Sequence, residues 1–285
     1  MRKQQFCGHF RLYERDRCRM NDHRILITGA GGGIGTLMRP RLRRPDRILR
    51  LLDLAELPAA TAGERVELVT GSLTDPATMA AACRDVDAII HLGGISREDS
   101  WDNVLAVNID GTHTVLEAAR QAGVPRVVLA SSNHAVGFRA VGGEPIPADA
   151  SPRPDTYYGV SKVAVEALGS LYHSRFGMDV ICIRIGSCFE RPHDARGLSM
   201  WLSPNDCARL FEACLAAERP GYRVIWGVSA NTRAVVSLRE AEELGYHSGD
   251  DAEQFAADIP TVGDPRPWLI GGPFVETPLG KPNPL

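Results

Sequence analysis

RILITGAGGGIG, Arg24–Gly35, decides the fold of this 285-residue chain. Its first half is a short apolar run that reads as a buried strand. Its second half turns on Gly29, Gly32 and Gly35, and a helical segment follows. Glycine at such points permits a tight turn, lets backbone N–H groups approach a pyrophosphate, and allows close helix–strand packing. A glycine turn alone is a weak signal. Here the next apolar run, RILRLLDL (Arg47–Leu54), carries Asp53 near its end. A carboxylate there accepts hydrogen bonds from ribose hydroxyls and repels a 2′-phosphate. Together these features predict a dinucleotide site that takes NAD rather than NADP.

Outward from this unit, strands and helices alternate. RVELVTG (Arg65–Gly71), AIIHLGG (Ala88–Gly94), RVVLASS (Arg126–Ser132), DVICIRIGS (Asp179–Ser187) and YRVIWG (Tyr222–Gly227) read as further strands. Asp75–Val86, Trp101–Gly123 and Tyr157–Gly177 read as helical, the last two closing on glycine caps. The pattern predicts an α/β fold, a Rossmann-type doubly wound parallel sheet with a small C-terminal substrate lobe. Three segments are expected. Residues 1–22, basic and aperiodic, form a disordered amino-terminal arm. Residues 23–187 form the NAD-binding core with the catalytic residues. Residues 188–285, where the pattern loosens, form the lobe, part of the same compact unit with a strand returning to the sheet.

The formal net charge of -3 gives no electrostatic case for nucleic acid or an anionic membrane as partner. No apolar run reaches the roughly 18 residues of a membrane span. The seven cysteines are odd in number and form no C-x-x-C pair. That points to reduced thiols in a cytoplasm, with neither a disulfide framework nor a metal site. Cys182, inside an apolar strand, is expected in the core.

The fifth strand runs into SSNHAVGF (Ser131–Phe138), two hydroxyls, an amide and an imidazole where a turn would suffice. Downstream, YGVSK places Tyr158 and Lys162 four apart, on one helix face. A free phenol with pKa about 10 is a poor base at neutral pH. A nearby ammonium favours the phenolate, so the pair is expected to act as a general base. Ser132, at a strand end, would hold the substrate oxygen. Tyr157 is five residues from Lys162 and should point away. Asn108, within AVNIDGT, suits either a hydrogen bond to backbone or indirect support of the lysine.

The chain resembles the extended short-chain dehydrogenase/reductase superfamily, and within it the uronate dehydrogenases. HLGGIS (His91–Ser96), ASSNHAVGF (Ala130–Phe138), YGVSK (Tyr158–Lys162), RIGSC (Arg184–Cys188), RGLSMWLSPND (Arg196–Asp206), VIWGVSAN (Val224–Asn231) and GGPFVETP near the end carry the likeness. It implies NAD-dependent oxidation of D-glucuronate or D-galacturonate at C1, giving an aldarolactone. It implies Tyr158, Lys162 and Ser132 as catalytic residues. It implies Ser96, Asn133, His134 and Ser187 on the sugar hydroxyls and Arg196 on the C6 carboxylate. A planar guanidinium matches a carboxylate with parallel donors and separates a uronate from a neutral hexose. On the cofactor it implies Gly29, Gly32, Gly33, Ile34, Gly35, Asp53, Leu73, Leu92, Gly93, Lys162 and Ile185. A homo-oligomer is the expected assembly.

Three places depart from the family pattern. Ser72 precedes Leu73 where the family has an aspartate, the loop at 189–195 differs, and 232–238 lacks the expected aromatic residues. Two other readings stay open. One is an NDP-sugar epimerase or dehydratase, although the segment after Ser187 is short for a nucleotide-diphosphate lobe. The other is a non-catalytic NAD-sensing regulator, a class that often lacks the tyrosine or lysine.

Overall fold

A computed structural model describes residues 22–260 and 269–282. Most of the expected arm, with Cys7 and Cys18, lies outside the described residues. Asp22, its last residue, is paired with Arg65.

Seven parallel strands build the sheet in the order β3-β2-β1-β4-β5-β6-β9. In chain order these are β1 (His23–Thr28), β2 (Arg47–Asp53), β3 (Val66–Thr70), β4 (Ala88–His91), β5 (Arg126–Ser132), β6 (Asp179–Ile185) and, after a two-stranded pair β7 (Ser187–Cys188) and β8 (Trp201–Leu202), β9 (Tyr222–Gly227). The helices are α1 (Gly33–Arg41), α2 (Pro76–Ala82), α3 (Trp101–Val104), α4 (Gly111–Ala122), α5 (Tyr157–Phe176), α6 (Gly197–Met200), α7 (Pro204–Ala216) and α8 (Arg239–Glu242). This is a Rossmann-type sheet, and its strand order reverses between β1 and β4. In such sheets ligands bind at that switch point, beyond the carboxyl ends of the strands.

Alternation along the strands fills both faces. Ile25, Ile27, Leu49, Leu51, Ile90, Val128 and Ile183 pack with Met38, Phe211 and Cys214 from α1 and α7. Leu26, Ile89, Val127, Leu129 and Cys182 pack on the other face with Met79, Leu116 and Val165 from α2, α4 and α5. Burying each such side chain contributes about 1.5–3 kcal/mol, which fixes the register of the strand ends.

Two elements differ from the sequence expectation. Trp101–Gly123 is not one α-helix: a wider π turn, Leu105–Asp110, separates α3 from α4 and carries Asn108. Helix α7 falls within the stretch where the sequence pattern is loose. The Ser203 side chain caps it by accepting from the Asp206 N–H (2.8 Å), and Pro204 starts it. Cys207, Leu210, Phe211 and Cys214 form its buried stripe. None of the described helices is long and apolar enough to cross a membrane.

Candidate active site

The glycine loop joins β1 to α1 tightly. Gly29 has φ +70°, and a Cβ on it would stand 2.6 Å from the Gly93 nitrogen. A Cβ on Gly35 would stand 2.5 Å from the Gly29 oxygen. Over Gly33 the space is open, and no side chain caps the amino end of α1. First-turn N–H groups of a helix lack intrahelical partners and favour an anion. The loop therefore fits the pyrophosphate of NAD. Asp53 ends β2, where its Oδ2 accepts from the Gly31 N–H (2.8 Å) and its Oδ1 from the Ala55 N–H (3.0 Å). It thus braces the glycine loop from the end of β2.

The rest of the expected cofactor set gathers at the same edge. Leu73 packs against Gly93 and Gly111. The Leu92 N–H donates to the Thr28 oxygen (3.1 Å), and the Gly93 N–H to Thr28 Oγ1 (3.3 Å). Ile185, ending β6, pairs in register with Ser132. Beneath them His91 lies between Thr28 Oγ1 (2.7 Å) and Thr112 Oγ1 (3.1 Å). Burial, with the Lys162 charge adding to it, lowers its pKa to about 3, so the ring is neutral. Ser72 makes a local turn, its hydroxyl accepting from the Thr74 N–H (3.2 Å).

Tyr158 and Lys162 rise from the first turns of α5. Thr156 caps that helix through the Gly159 N–H (2.9 Å). Lys162 Nζ lies 5.4 Å from the Tyr158 ring centroid and donates to the Ala130 carbonyl (2.8 Å). The direction of the tyrosine shift is opposite to the sequence expectation. Burial pushes Tyr158 up to about 12, against the pull of the neighbouring Ser132 hydroxyl. Burial also lowers Lys162 to about 8. Spacing put Lys162 near the phenol ring, but desolvation is the largest cause of the shift, and the opposing pull comes from Ser132. Tyr157 points elsewhere, its ring 5.5 Å from that of Trp101.

Ser132 and Ser131 show the strand alternation. Ser131 turns into the core and donates to Glu166 (2.6 Å), which also pairs with buried Arg184. Ser132 turns the other way and accepts from the His134 N–H (3.2 Å). Asn133 donates to the Ile270 carbonyl (3.0 Å). Arg196 donates to the same carbonyl (2.9 Å) and to Ser187 Oγ (3.2 Å). Its Nε is buried with no hydrogen-bond acceptor among the described residues. Burial lowers the Arg196 pKa, while Asp194 and Asp155 oppose that shift. Ser96 is exposed on the loop after β4. Asn108 holds that loop to α5: it accepts from the Ile95 N–H (2.7 Å) and donates to the Ile95 oxygen (3.0 Å) and Ser161 Oγ (2.9 Å).

Sequence reading missed several supports. Asp155 lies 2.8 Å from His134 Nδ1 through its Oδ2. Phe274 stacks on the His134 ring at 4.2 Å. Buried Glu98 accepts from the Tyr158 N–H (3.0 Å) and the Gly280 N–H (2.8 Å). The departing loops are tied outside this cluster, Arg191 to Asp258 (2.5 Å) and Arg233 to Glu253 (2.7 Å).

Known proteins resemble this chain over most of its length. The profile of the NAD dependent epimerase/dehydratase family matches residues 25–198. A uronate dehydrogenase of Pseudomonas putida is 40% identical over 88% of this chain and 95% of its own. A NAD-dependent glucose-6-phosphate dehydrogenase of Haloferax volcanii is 35% identical over 82% of this chain and 96% of its own. Among solved structures, a mutant uronate dehydrogenase of Agrobacterium tumefaciens complexed with NAD superimposes with a TM-score of 0.83. It is 39% identical and covers 90% of this chain and 98% of its own. The chain therefore belongs to the NAD dependent epimerase/dehydratase family and, within it, to the NAD-dependent oxidoreductases of the uronate dehydrogenase group.

Proposed function

We propose that the chain oxidises the cyclic form of D-glucuronate or D-galacturonate at C1 and releases the aldarolactone. The observation that carries the substrate class is Arg196. A part-buried guanidinium that donates to Ser187 Oγ and the Ile270 carbonyl, with no salt bridge to a carboxylate among the described residues, leaves a positive charge that calls for an anionic partner. It shares the Ile270 carbonyl with Asn133, next to Ser132, so that anion and the reacting carbon fit within one sugar. A carboxylate at C6 meets this demand, and a neutral hexose leaves it unmet.

In this reading Tyr158 takes the C1 hydroxyl proton as the C1–H bond breaks and a C1 carbonyl forms. NAD, when bound, supplies the hydride acceptor. Burial keeps the proton on Tyr158 in the ligand-free protein, so the phenol gives that proton up to solvent before it accepts the one from the C1 hydroxyl. Lys162 is the cation in reach that favours the phenolate during transfer, once its hold on the Ala130 carbonyl is adjusted. Ser132 donates to the C1 oxygen. Asn133, His134, Ser96 and Ser187 bind ring hydroxyls. Asp53 holds the adenosine ribose and disfavours NADP.

The test is NADH formation with D-glucuronate, D-galacturonate, D-glucose, D-glucose 6-phosphate and UDP-glucuronate in parallel, repeated with NADP. Turnover of free uronates with NAD is expected. Turnover of the sugar phosphate alone would keep the anion clamp and change the substrate. Turnover of UDP-glucuronate alone would move the chain to the nucleotide-sugar reading.

A further inference from the structure

Resting on the uronate reading above, we infer that Asp155 is a positioning residue. It fixes His134 in the tautomer whose Nε2 accepts a hydrogen bond from a substrate hydroxyl. Its geometry is restrictive. Asp155 Oδ2 lies 2.8 Å from His134 Nδ1, and its Oδ1 accepts from Thr156 Oγ1 (3.0 Å). A carboxylate only accepts, so the proton between the two groups sits on Nδ1. Nε2 then carries the lone pair and faces no protein partner among the described residues.

The carboxylate has nowhere else to go. It is wedged between the backbones of Gly137 and Gly271, where a Cβ on either residue would overlap it. The imidazole is held on both sides, by Phe274 stacked at 4.2 Å and by the Tyr158 ring edge-on at 5.7 Å. A strand-end histidine that only satisfied backbone would need neither a buried carboxylate nor two ring contacts. This one is fixed next to the tyrosine proposed as the base. The charged and titratable groups around His134 are Asp155, Glu98, Tyr158 and Arg196. Burial and Arg196 disfavour the imidazolium, whereas Asp155 and Glu98 favour it.

The direct test is the ¹⁵N spectrum of the histidine side chains in the ligand-free wild-type protein, with His134 assigned by His134→Gln. A neutral Nδ1–H ring near pH 7 is expected, and the Nε2–H tautomer would overturn the inference. Asp155→Asn removes the negative charge and lets the amide turn either its oxygen or its NH2 to Nδ1, so the tautomer is no longer fixed. It should raise KM for the uronate by roughly tenfold, the loss of one aligned hydrogen bond. KM for NAD should hold. The acid limb of the KM profile should move to lower pH, because the imidazolium loses its stabilising neighbour. A merely structural Asp155 would weaken folding without moving that limb, so an unmoved limb in a folded variant would also overturn the inference. Should no uronate be turned over, the substrate assignment falls, and the ring spectra of wild type and Asp155→Asn still decide the tautomer.

Discussion

Replacing Arg196 by alanine tests the substrate class at one side chain. In the structure two of its nitrogens serve the protein, Nη1 on Ser187 and Nη2 on the Ile270 carbonyl, while Nε has no acceptor. Truncating one partner of a desolvated, hydrogen-bonded charge pair costs about 2–5 kcal/mol. Part of the guanidinium is already committed, so the lower part of that range applies, about 3 kcal/mol. At 1.36 kcal/mol per decade this is roughly a hundredfold loss in kcat/KM for the uronate. The carboxylate is held alike in ground and transition states, so the loss should appear mainly in KM. Arg196→Lys keeps the charge but loses the planar fork and should fall between. Steady-state NADH formation with D-glucuronate, D-galacturonate and D-glucose supplies the comparison. Equal losses on glucose and uronate would mean that Arg196 only props Ser187 and Ile270. An unchanged uronate KM would place the clamp elsewhere.

Tyr158→Phe should lower kcat by about 10²–10⁴-fold, the usual contribution of a positioned acid–base group, with NAD binding retained by fluorescence titration. Wild-type turnover in that variant would remove Tyr158 as the base. Gly35→Ala puts a Cβ 2.5 Å from the Gly29 oxygen, a backbone clash worth about 1–3 kcal/mol. The KM for NAD should rise by roughly tenfold, and an unchanged value would mean that the loop is not the pyrophosphate seat. Lys162 gives a pH-dependent stability difference. Its folded pKa of about 8 lies below the ordinary lysine value of 10.5, so the buried charge disfavours the native state below pH 8. That cost is relieved as pH rises through the window from 8 to 10.5. Lys162→Met should therefore exceed wild type in stability below pH 8, the gap narrowing by on the order of 3 kcal/mol towards pH 10.5. Denaturant midpoints across that range check it, and a gap that widened would reverse the argument.

What the sequence made legible was local. The β1 loop, the Asp53 strand end and the Tyr158–Lys162 spacing are written in consecutive or near-consecutive residues. Their consequences for one sheet edge follow from parallel register. The supports of the site were hidden because their partners are distant or are backbone. Nothing near Asn133 announces that its acceptor is the carbonyl of Ile270, or that Arg196 shares it. Asp155 sits in a proline-bearing stretch that reads as loop, and only the fold turns it onto His134. The Tyr158 shift was misread for a related reason: spacing shows which charge is near, whereas burial, which decides the sign, depends on the folded surroundings. The stripe of α7 was present in the sequence but short, between proline-rich and polar stretches, and its cap at Ser203 was the signal that could have revealed it.

The central claim is that hydride leaves C1 of a free uronate. D-Glucuronate deuterated at C1 settles this with NAD and the wild-type protein, by the mass of the reduced cofactor and an NMR spectrum of the fresh product. NADH heavier by one deuterium and a lactone carbonyl at C1 are the expected products. Unlabelled NADH, or oxidation at a ring carbon with deuterium kept at C1, would contradict the claim.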